Sequence, residues 1–256
     1  MNPILKKYQE GKPTIGTFTH LKSAVAVECL AYSGLDYVII DTEHGPADVE
    51  FVSTAITAAD AAGITPFVRI NEISRPAVLH PLDLGAKGLI VPAVETPEQV
   101  CQLIQYGKFA PLGNRGSCPT RDGGWGFAEW ASHGFDAYME TANRHTMLIP
   151  QCETAGCLAH IEEIAAMDGV DGIFIGPLDL SISLGVPAQF DSPIMQDAIA
   201  RITAACKKNN KPLFRFFGNP KDAKAYLAEG GDSATINMDV AFLIEAYRSI
   251  VNDLRG

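Results

Sequence analysis

The sequence predicts an α/β protein, a single (β/α)8 barrel that spans residues 1–256. The chain has 256 residues, close to the ~250 that one such barrel needs. Short apolar runs rich in strand-forming residues recur along its whole length, each followed by an amphipathic stretch. Several of these runs are almost continuously apolar, which is typical of parallel strands buried on both faces.

Eight strands alternate with helical segments in this interpretation. The predicted strands are Ile15–His20, Tyr37–Glu43, Thr65–Ile70, Gly88–Val94, Met147–Glu153, Gly172–Pro177, Pro212–Phe217 and Ser233–Met238. Between them, one predicted helix runs from Ala47 to Ala62 and ends at Gly63, and another begins at the Thr96-Pro97 pair. A doubly wound sheet is disfavoured because no glycine-rich dinucleotide turn follows the first strand.

The composition describes an acidic, globular protein. Hydrophobic residues make up 47% of the chain, and 30 acidic against 20 basic side chains give a net charge of −10. This charge disfavours nucleic acids and anionic membranes as partners, and no run reaches the ~18 apolar residues of a membrane span. None of the six cysteines forms a C-x-x-C pair, so we expect free thiols in a cytoplasmic protein.

Two segments depart from the regular repeat. Residues 111–136, between the fourth and fifth strands, form a long loop rich in glycine, proline and arginine. Long loops of this kind act as lids or interface elements or are disordered. Near the end of the chain, residues 239–254 carry apolar side chains at helical spacing, which fits a helix packed on its own barrel or on another surface.

Polar side chains follow four of the predicted strands. In an α/β barrel the active site lies at the C-terminal ends of the strands, so these side chains should converge at one mouth. They are Glu43, His44, Arg69, Gln151, Glu153 and Asp179. Carboxylates from neighbouring strands offer the hard oxygen ligands that Mg²⁺ and Mn²⁺ prefer. Structural roles are the alternative: Asp179 as a helix cap, Arg69 as a counter-ion and His44 as a hydrogen-bonded loop residue.

Some chemistries are disfavoured by what the strands lack. None of the predicted strands contains a lysine, so a Schiff-base mechanism is not indicated. No glycine-rich loop follows the seventh or eighth strand, which argues against a phosphorylated substrate. Of the remaining histidines, His20 stands out because it ends the first strand. Asp83, in the helix before the fourth strand, is by pattern alone a solvated helix charge.

Several segments resemble the HpcH/HpaI aldolases, the class II, metal-dependent pyruvate aldolases of the phosphoenolpyruvate/pyruvate barrel superfamily. The resemblance runs in order from about residue 14 to the C-terminus. The D-x-E-H, Q-x-E-T and G-P-x-D-L-S motifs are specific, and their joint presence is more so. The segments are DYVIIDTEHGPAD (36–48), FVRIN (67–71), LDLGAKGLIVPAVETPEQV (82–100), NRGS (114–117), IPQCET (149–154) and VDGIFIGPLDLSISLG (170–185).

The resemblance implies a metal and substrate site built from strands five and six. Glu153 and Asp179 fall where the family holds its metal, usually Mg²⁺, Mn²⁺ or Co²⁺. Gln151, Leu178 and Asp179 fall beside the bound 2-oxo acid. Glu43 matches a residue that contacts the waters of the metal rather than the metal itself.

It also implies three catalytic residues. Arg69 matches the arginine that stabilises the enolate oxygen. His44 matches the histidine of the acid/base apparatus, and Asp83 matches the aspartate that pairs with it, from a neighbouring unit of the barrel. Without the resemblance, nothing in the pattern would single out Asp83.

The activity that follows is reversible retro-aldol cleavage of a 4-hydroxy-2-oxo acid to pyruvate and an aldehyde, in aromatic or sugar-acid catabolism. A CoA-ester lyase of the citryl- or malyl-CoA type and a non-catalytic barrel that binds small acids remain alternatives. The resemblance further implies a homo-oligomer, a hexamer built as a trimer of dimers, with the last helix packed on a partner barrel. Arg121 in the long loop and Arg215 in strand seven depart from the family pattern. These differences leave the identity of the aldehyde product open.

Overall fold

Eight parallel strands close into a barrel in the computed structural model, which describes all of residues 1–256. Each strand pairs with the next in sequence, and the eighth pairs with the first. The strands are β1 (Thr14–Thr19), β2 (Tyr37–Asp41), β3 (Thr65–Arg69), β4 (Gly88–Val91), β5 (Met147–Cys152), β6 (Ile173–Ile175), β7 (Leu213–Phe217) and β8 (Ser233–Met238). The predicted fold class is confirmed.

The barrel is surrounded by α-helices, several of which begin at a proline that follows a polar cap, as the Thr96-Pro97 pair predicts. The helices are α1 (Pro3–Gln9), α2 (Ala24–Tyr32), α3 (Val49–Ala62), α4 (Arg75–Asp83), α5 (Pro97–Gly107), α6 (Phe135–His145), α7 (Ala155–Ala159), α8 (Ile161–Ala166), α9 (Pro177–Ser183), α10 (Pro193–Lys208), α11 (Pro220–Ala228) and α12 (Asp239–Arg255). None of them is long and apolar enough to cross a membrane.

Several strands end earlier than the apolar pattern predicts. β2 ends at Asp41 rather than Glu43, and β4 at Val91 rather than Val94. The strand ladder stops at the rim because the chain there leaves the sheet and turns toward the next helix. The residues just beyond the strands therefore form the mouth rather than the wall.

Aromatic rings fill the interior of the barrel. Phe18, Tyr37, Phe67, Phe174 and Phe214 are buried, and neighbouring ring centroids lie 5.4–6.5 Å apart. Rings at these separations, mostly edge-on or tilted, gain favourable quadrupole contacts beyond their burial. This aromatic layer forms the rigid floor on which the residues of the mouth stand.

Tyr37 anchors the lower part of this interior. Its hydroxyl forms hydrogen bonds with the hydroxyls of Ser233 at 2.9 Å and Thr235 at 2.7 Å, so its buried polar atom is satisfied. Gly16 lies beside the ring, and a Cβ at that position would come within 2.1 Å of it. A glycine in the middle of β1 is thus required by the size of Tyr37.

The helix α12 leaves the barrel almost at once. Only its first turn packs against the strands, and every residue from 243 to 256 is exposed. The apolar stripe predicted for residues 239–254 is present, but it faces away from its own barrel. Its exposed members are Leu243, Ile244, Tyr247, Ile250, Val251 and Leu254.

An apolar groove of about 780 Å³ lies between β1, β8, α2 and α11. Its lining includes Leu30, Leu35, Leu227 and Ile236, and Phe242 of α12 lies at its edge. A helix that follows the last strand of a (β/α)8 barrel normally packs in the outer ring of helices. In this chain the space between α11 and α2 is left open.

The long segment 111–136 is ordered in part as two short 3₁₀ turns, Arg121–Gly126 and Glu129–Ala131. It is tied to the C-terminal ends of two helices, because Arg121 donates to Asp60 at 2.8 Å and to the carbonyl of Leu84 at 3.0 Å. These helix ends lie at the end of the barrel where strands begin. The segment therefore does not cover the mouth of its own barrel.

Candidate active site

The mouth of the barrel is built by side chains that point inward one step above the aromatic floor. His20 comes directly after the end of β1, Asp41 ends β2, and Arg69 ends β3. A cavity of about 140 Å³ opens above Phe18. Its polar lining consists of His20, Arg69, Gln151 and Asp179, and its apolar lining is Phe18, Phe174, Pro177, Leu178, Phe216 and Met238.

Asp41 is the centre of this mouth. Its carboxylate is fully buried and accepts two hydrogen bonds from Arg69, from Nε at 2.9 Å and from Nη2 at 2.7 Å. It also binds the His20 ring Nε2 at 2.7 Å, and it accepts the backbone N–H of Glu43 at 3.1 Å and of His44 at 3.4 Å. One carboxylate thus fixes a guanidinium, an imidazole and the start of the loop after β2.

The charge of Arg69 decides the ionisation of Asp41. Burial works against the charged carboxylate, but the paired hydrogen bonds and the charge of Arg69 outweigh it, so the pKa of Asp41 lies below its usual range. Arg69 also lies 3.2 Å from Glu43, and its guanidinium stacks 4.6 Å from the centre of the Phe18 ring. The pKa of Glu43 is nevertheless raised, mainly because burial disfavours its charged form.

Glu153 and Gln151 form the opposite wall. One oxygen of Glu153 accepts the backbone N–H of Ala93 at 2.7 Å, and the other accepts a short hydrogen bond from the Gln151 amide. A Cβ on Gly176 would lie 2.5 Å from Glu153 Oε2 and 2.7 Å from Gln151 Nε2, so only glycine fits beside this pair. The side-chain amide oxygen of Gln151, Oε1, is buried and has no hydrogen-bond partner.

Asp179 lies close to this wall, in the first turn of α9, and Leu178 precedes it at the rim of the cavity. Burial, together with the nearby carboxylates of Asp179 and Glu43, raises the pKa of Glu153 to about 7 against the opposing hydrogen bonds. No three His, Cys, Asp or Glu side chains converge into a complete metal site. The two wall carboxylates with an unpartnered amide oxygen beside them nevertheless form an oxygen-rich, electron-rich set that a divalent cation would neutralise.

His44 and Asp83 are not brought together. The His44 side chain is 64% exposed, and the nearest acidic oxygen, on Glu43, lies 3.8 Å away. Asp83 is the last residue of α4 and accepts a hydrogen bond from Arg115 at 2.9 Å. Because α4 runs back from the mouth, Asp83 lies near the opposite end of the barrel. The expected pairing of Asp83 with His44 within one barrel is therefore wrong.

The structure brings the other candidate residues of the mouth close together. Glu43, Arg69, Gln151, Glu153 and Asp179 lie at one mouth. Asp41, to which the sequence pattern assigned no role, is the group that holds the mouth together. Its position was readable from alternation, since Tyr37, Ile39 and Asp41 have the same parity along β2. His20 was recognised as a strand-end residue, but its bond to Asp41 depends on the pairing of β1 with β2.

Comparisons with known proteins agree with this architecture. The sequence model of the HpcH/HpaI aldolase/citrate lyase family matches residues 14–246. A hydroxypyruvate/pyruvate aldolase from Roseobacter denitrificans is 32% identical over 253 residues, 98% of this chain and 96% of that protein. A 2-keto-3-deoxy-L-rhamnonate aldolase from Escherichia coli is 34% identical over 251 residues, 96% of this chain and 90% of that protein.

A solved structure gives the same result. An HpcH/HpaI aldolase/citrate lyase family protein from Burkholderia cenocepacia superposes with a TM-score of 0.91 at 31% identity, and both chains are covered completely. The chain is therefore an enzyme of the carbon–carbon lyase class, an aldolase. It belongs to the HpcH/HpaI aldolase/citrate lyase family.

The substitution Asp41→Asn tests the central role of this carboxylate. Removing its charge leaves Arg69 buried without its partner, so we expect a loss of about 3 kcal/mol in the free energy of unfolding at neutral pH. The folded-state pKa of Asp41 is lowered, so its stabilisation is fully present above the unfolded pKa of about 3.9. This stabilisation is lost as the pH falls through the folded-state pKa. In strong acid, the wild-type protein and the variant should therefore have the same free energy of unfolding.

Urea unfolding across this pH range measures the difference. Asp60→Asn is the matched control, since Asp60 forms a partly exposed ion pair with Arg121 and should change stability by less than about 1 kcal/mol. Equal losses for the two variants, or a difference that does not depend on pH, would contradict the assignment.

Proposed function

We propose that the enzyme is a class II aldolase that cleaves 4-hydroxy-2-oxo acids to pyruvate and an aldehyde, reversibly and with a divalent metal ion. The observation that carries this proposal is the mouth itself. It combines two wall carboxylates, Glu153 and Asp179, with a guanidinium, Arg69, that lines the same cavity. A retro-aldol reaction of a 2-oxo acid needs both, because negative charge develops on the oxo oxygen as the carbon–carbon bond breaks.

Glu153 and Asp179 would hold the metal, with Mg²⁺, Mn²⁺ and Co²⁺ as the candidates. Their oxygen donors, the raised pKa of Glu153 and the unpartnered oxygen of Gln151 support this assignment. When bound, such an ion supplies Lewis-acid stabilisation of negative charge on a carbonyl oxygen. Glu43, which faces Arg69 and the same acidic cluster, would contact the ion's waters.

Arg69 would stabilise the enolate oxygen. Asp41 holds its Nε and Nη2, so the guanidinium cannot swing away, and Phe18 supports one face of it. A donor that is fixed before the reaction costs no reorganisation when charge develops. Gln151 and Leu178, which line the same cavity, would contact the pyruvate portion of the substrate.

His44 would accept the proton of the C4 hydroxyl. It lies in the loop that follows β2, next to Glu43, and its side chain is in contact with water. Asp83 cannot orient His44 within the same chain. A pairing of these two residues would require the Asp83 of a second copy of the chain.

Among possible substrates, we favour hydroxylated acids derived from sugars over dicarboxylates. A dicarboxylate would need a second guanidinium or ammonium group for its far carboxylate, but Arg69 is the only arginine or lysine that lines the cavity. Arg121 is bound to Asp60 at the opposite end, and Arg215 stacks against Phe217 and Tyr226 outside the barrel interior. The relatives named as aldolases of hydroxypyruvate and of 2-keto-3-deoxy-L-rhamnonate support the same choice.

We also propose that the chain acts as a homo-oligomer, a hexamer built from dimers in which α12 packs on a partner barrel. The exposed apolar stripe of α12 and the open apolar groove between α11 and α2 are complementary in character. Each would bury apolar surface against the other in a second copy, which stabilises association.

A first experiment follows pyruvate release from a panel of 4-hydroxy-2-oxo acids, before and after EDTA and with Mg²⁺, Mn²⁺ or Co²⁺ restored. We expect loss of activity with EDTA and recovery with metal, because the wall carboxylates alone repel the developing enolate. Sugar-derived acids should turn over faster than dicarboxylates. Turnover of CoA esters alone would favour a CoA-ester lyase, and binding without turnover would favour a non-catalytic barrel.

Two variants separate metal binding from proton transfer. Glu153→Ala should abolish both Mn²⁺ binding and turnover, because it removes a wall carboxylate. His44→Ala should lower turnover by on the order of 10²-fold and leave Mn²⁺ binding intact. Calorimetry and pyruvate release measure the two properties, and Glu163→Ala, at an exposed helix position, is the control. Normal activity of the Glu153 variant would remove the metal assignment.

The oligomer is tested by the mass in solution. Ile250→Glu places a charge in the exposed stripe of α12 and should dissociate the assembly, because burying an unpaired charge at an interface is costly. Asn252→Glu, on the opposite side of the helix, should leave the mass unchanged. A monomeric wild-type protein, by light scattering, would refute the proposal.

A further inference from the structure

A second imidazole faces the mouth. His20 lies at the end of β1 and lines the same cavity as Arg69, Gln151 and Asp179, whereas His44 does not line it. The side chain of His20 is only 17% exposed. Its backbone is also fixed, since its N–H donates to Asp239 at 2.9 Å. An imidazole held this firmly inside a catalytic cavity has a defined orientation toward whatever binds there.

One ring nitrogen of His20 is occupied and the other is available. Nε2 lies 2.7 Å from Asp41 Oδ2, and no side chain or backbone group bonds Nδ1. A carboxylate at one nitrogen fixes the orientation of the ring, and the free nitrogen can donate a proton to a ligand or accept one from it. This is the arrangement of an acid/base histidine, and His44 lacks it because its nearest carboxylate oxygen lies 3.8 Å away.

The other groups that line the cavity are unsuited to carry a proton. Arg69 stays protonated and is held by Asp41. Gln151 is a neutral amide, and Asp179 belongs to the carboxylate wall. Phe18, Phe216 and Met238 are apolar. His20 is therefore the one side chain in the lining that has a ring nitrogen without a hydrogen-bond partner.

We infer that His20 is a catalytic residue that transfers the proton at C3 of pyruvate, a role that rests on the proposed aldolase function. After the aldehyde leaves, the electron pair of the C2=C3 bond of the enolate takes the proton from Nδ1 of the His20 imidazolium. A C3–H bond forms, the N–H bond breaks, and the enolate oxygen returns to a carbonyl. Neutral His20 then regains a proton from water, which balances the proton released from the C4 hydroxyl through His44.

The inference divides two proton transfers between two histidines. In the reverse direction neutral His20 removes a C3 proton from pyruvate, so the enzyme should exchange the methyl hydrogens of pyruvate with solvent in the absence of any aldehyde. This half-reaction breaks no carbon–carbon bond and does not involve the C4 hydroxyl. It therefore reports on His20 and not on His44.

The experiment follows the pyruvate methyl signal by proton NMR in D2O, with the intact enzyme and its activating metal. His20→Gln retains an N–H donor that can reach Asp41 but has no second ring nitrogen. We expect it to slow exchange by on the order of 10²-fold, with pyruvate affinity unchanged by calorimetry in the presence of Mn²⁺. His160→Asn, at an exposed position, is the matched control and should exchange at the wild-type rate.

Each outcome decides a specific point. Exchange at the wild-type rate in His20→Gln overturns the inference, as does a parallel loss of exchange and pyruvate affinity, which would make His20 a residue that only shapes the site. His20→Asn provides a second variant if the glutamine variant does not fold. If the wild-type enzyme neither exchanges pyruvate nor cleaves any 4-hydroxy-2-oxo acid, the proposed function fails instead.

Discussion

The mouth of this barrel depends on one buried carboxylate. Asp41 sits where β1, β2 and β3 end side by side, and it accepts hydrogen bonds from side chains of both neighbours and from the loop that follows it. A buried charge of this kind is costly without partners and strongly held with them. The arrangement converts three separate strand ends into one rigid polar unit, which faces the carboxylate wall across the cavity.

The two sides of the mouth have opposite electrostatic character. On the side of β1 to β3, the negative charge of Asp41 is balanced by Arg69, and its pKa is lowered. On the side of β5 and β6, no cation lies within bonding distance of Glu153 or Asp179, and the pKa of Glu153 rises to about 7. Carboxylates thus form an internal ion pair on one side of the mouth and lack a counter-ion on the other.

Much of this was available from the sequence. Continuous apolar runs gave all eight strands, and the strand-end rule placed Arg69, Glu153 and Asp179 at one mouth. Two aspects escaped it for physical reasons. The bonding of His20 to Asp41 depends on the register between β1 and β2, which apolar patterns do not encode. The position of Asp83 depends on helix direction, since a helix that returns to the start of the next strand carries its last residue away from the mouth.

The start of α12 is bonded to the end of β1, where the first and last strands of the barrel pair. The carboxylate of Asp239, the first residue of α12, accepts hydrogen bonds from the Thr19 hydroxyl at 2.5 Å and from the N–H groups of His20 and Leu21 at 2.9 and 3.2 Å. The root of the protruding helix is thereby joined to the backbone of the cavity's imidazole. The helix α12 extends over 17 residues from this joint, so a tilt of the helix would act directly on the backbone of His20 at the rim of the mouth.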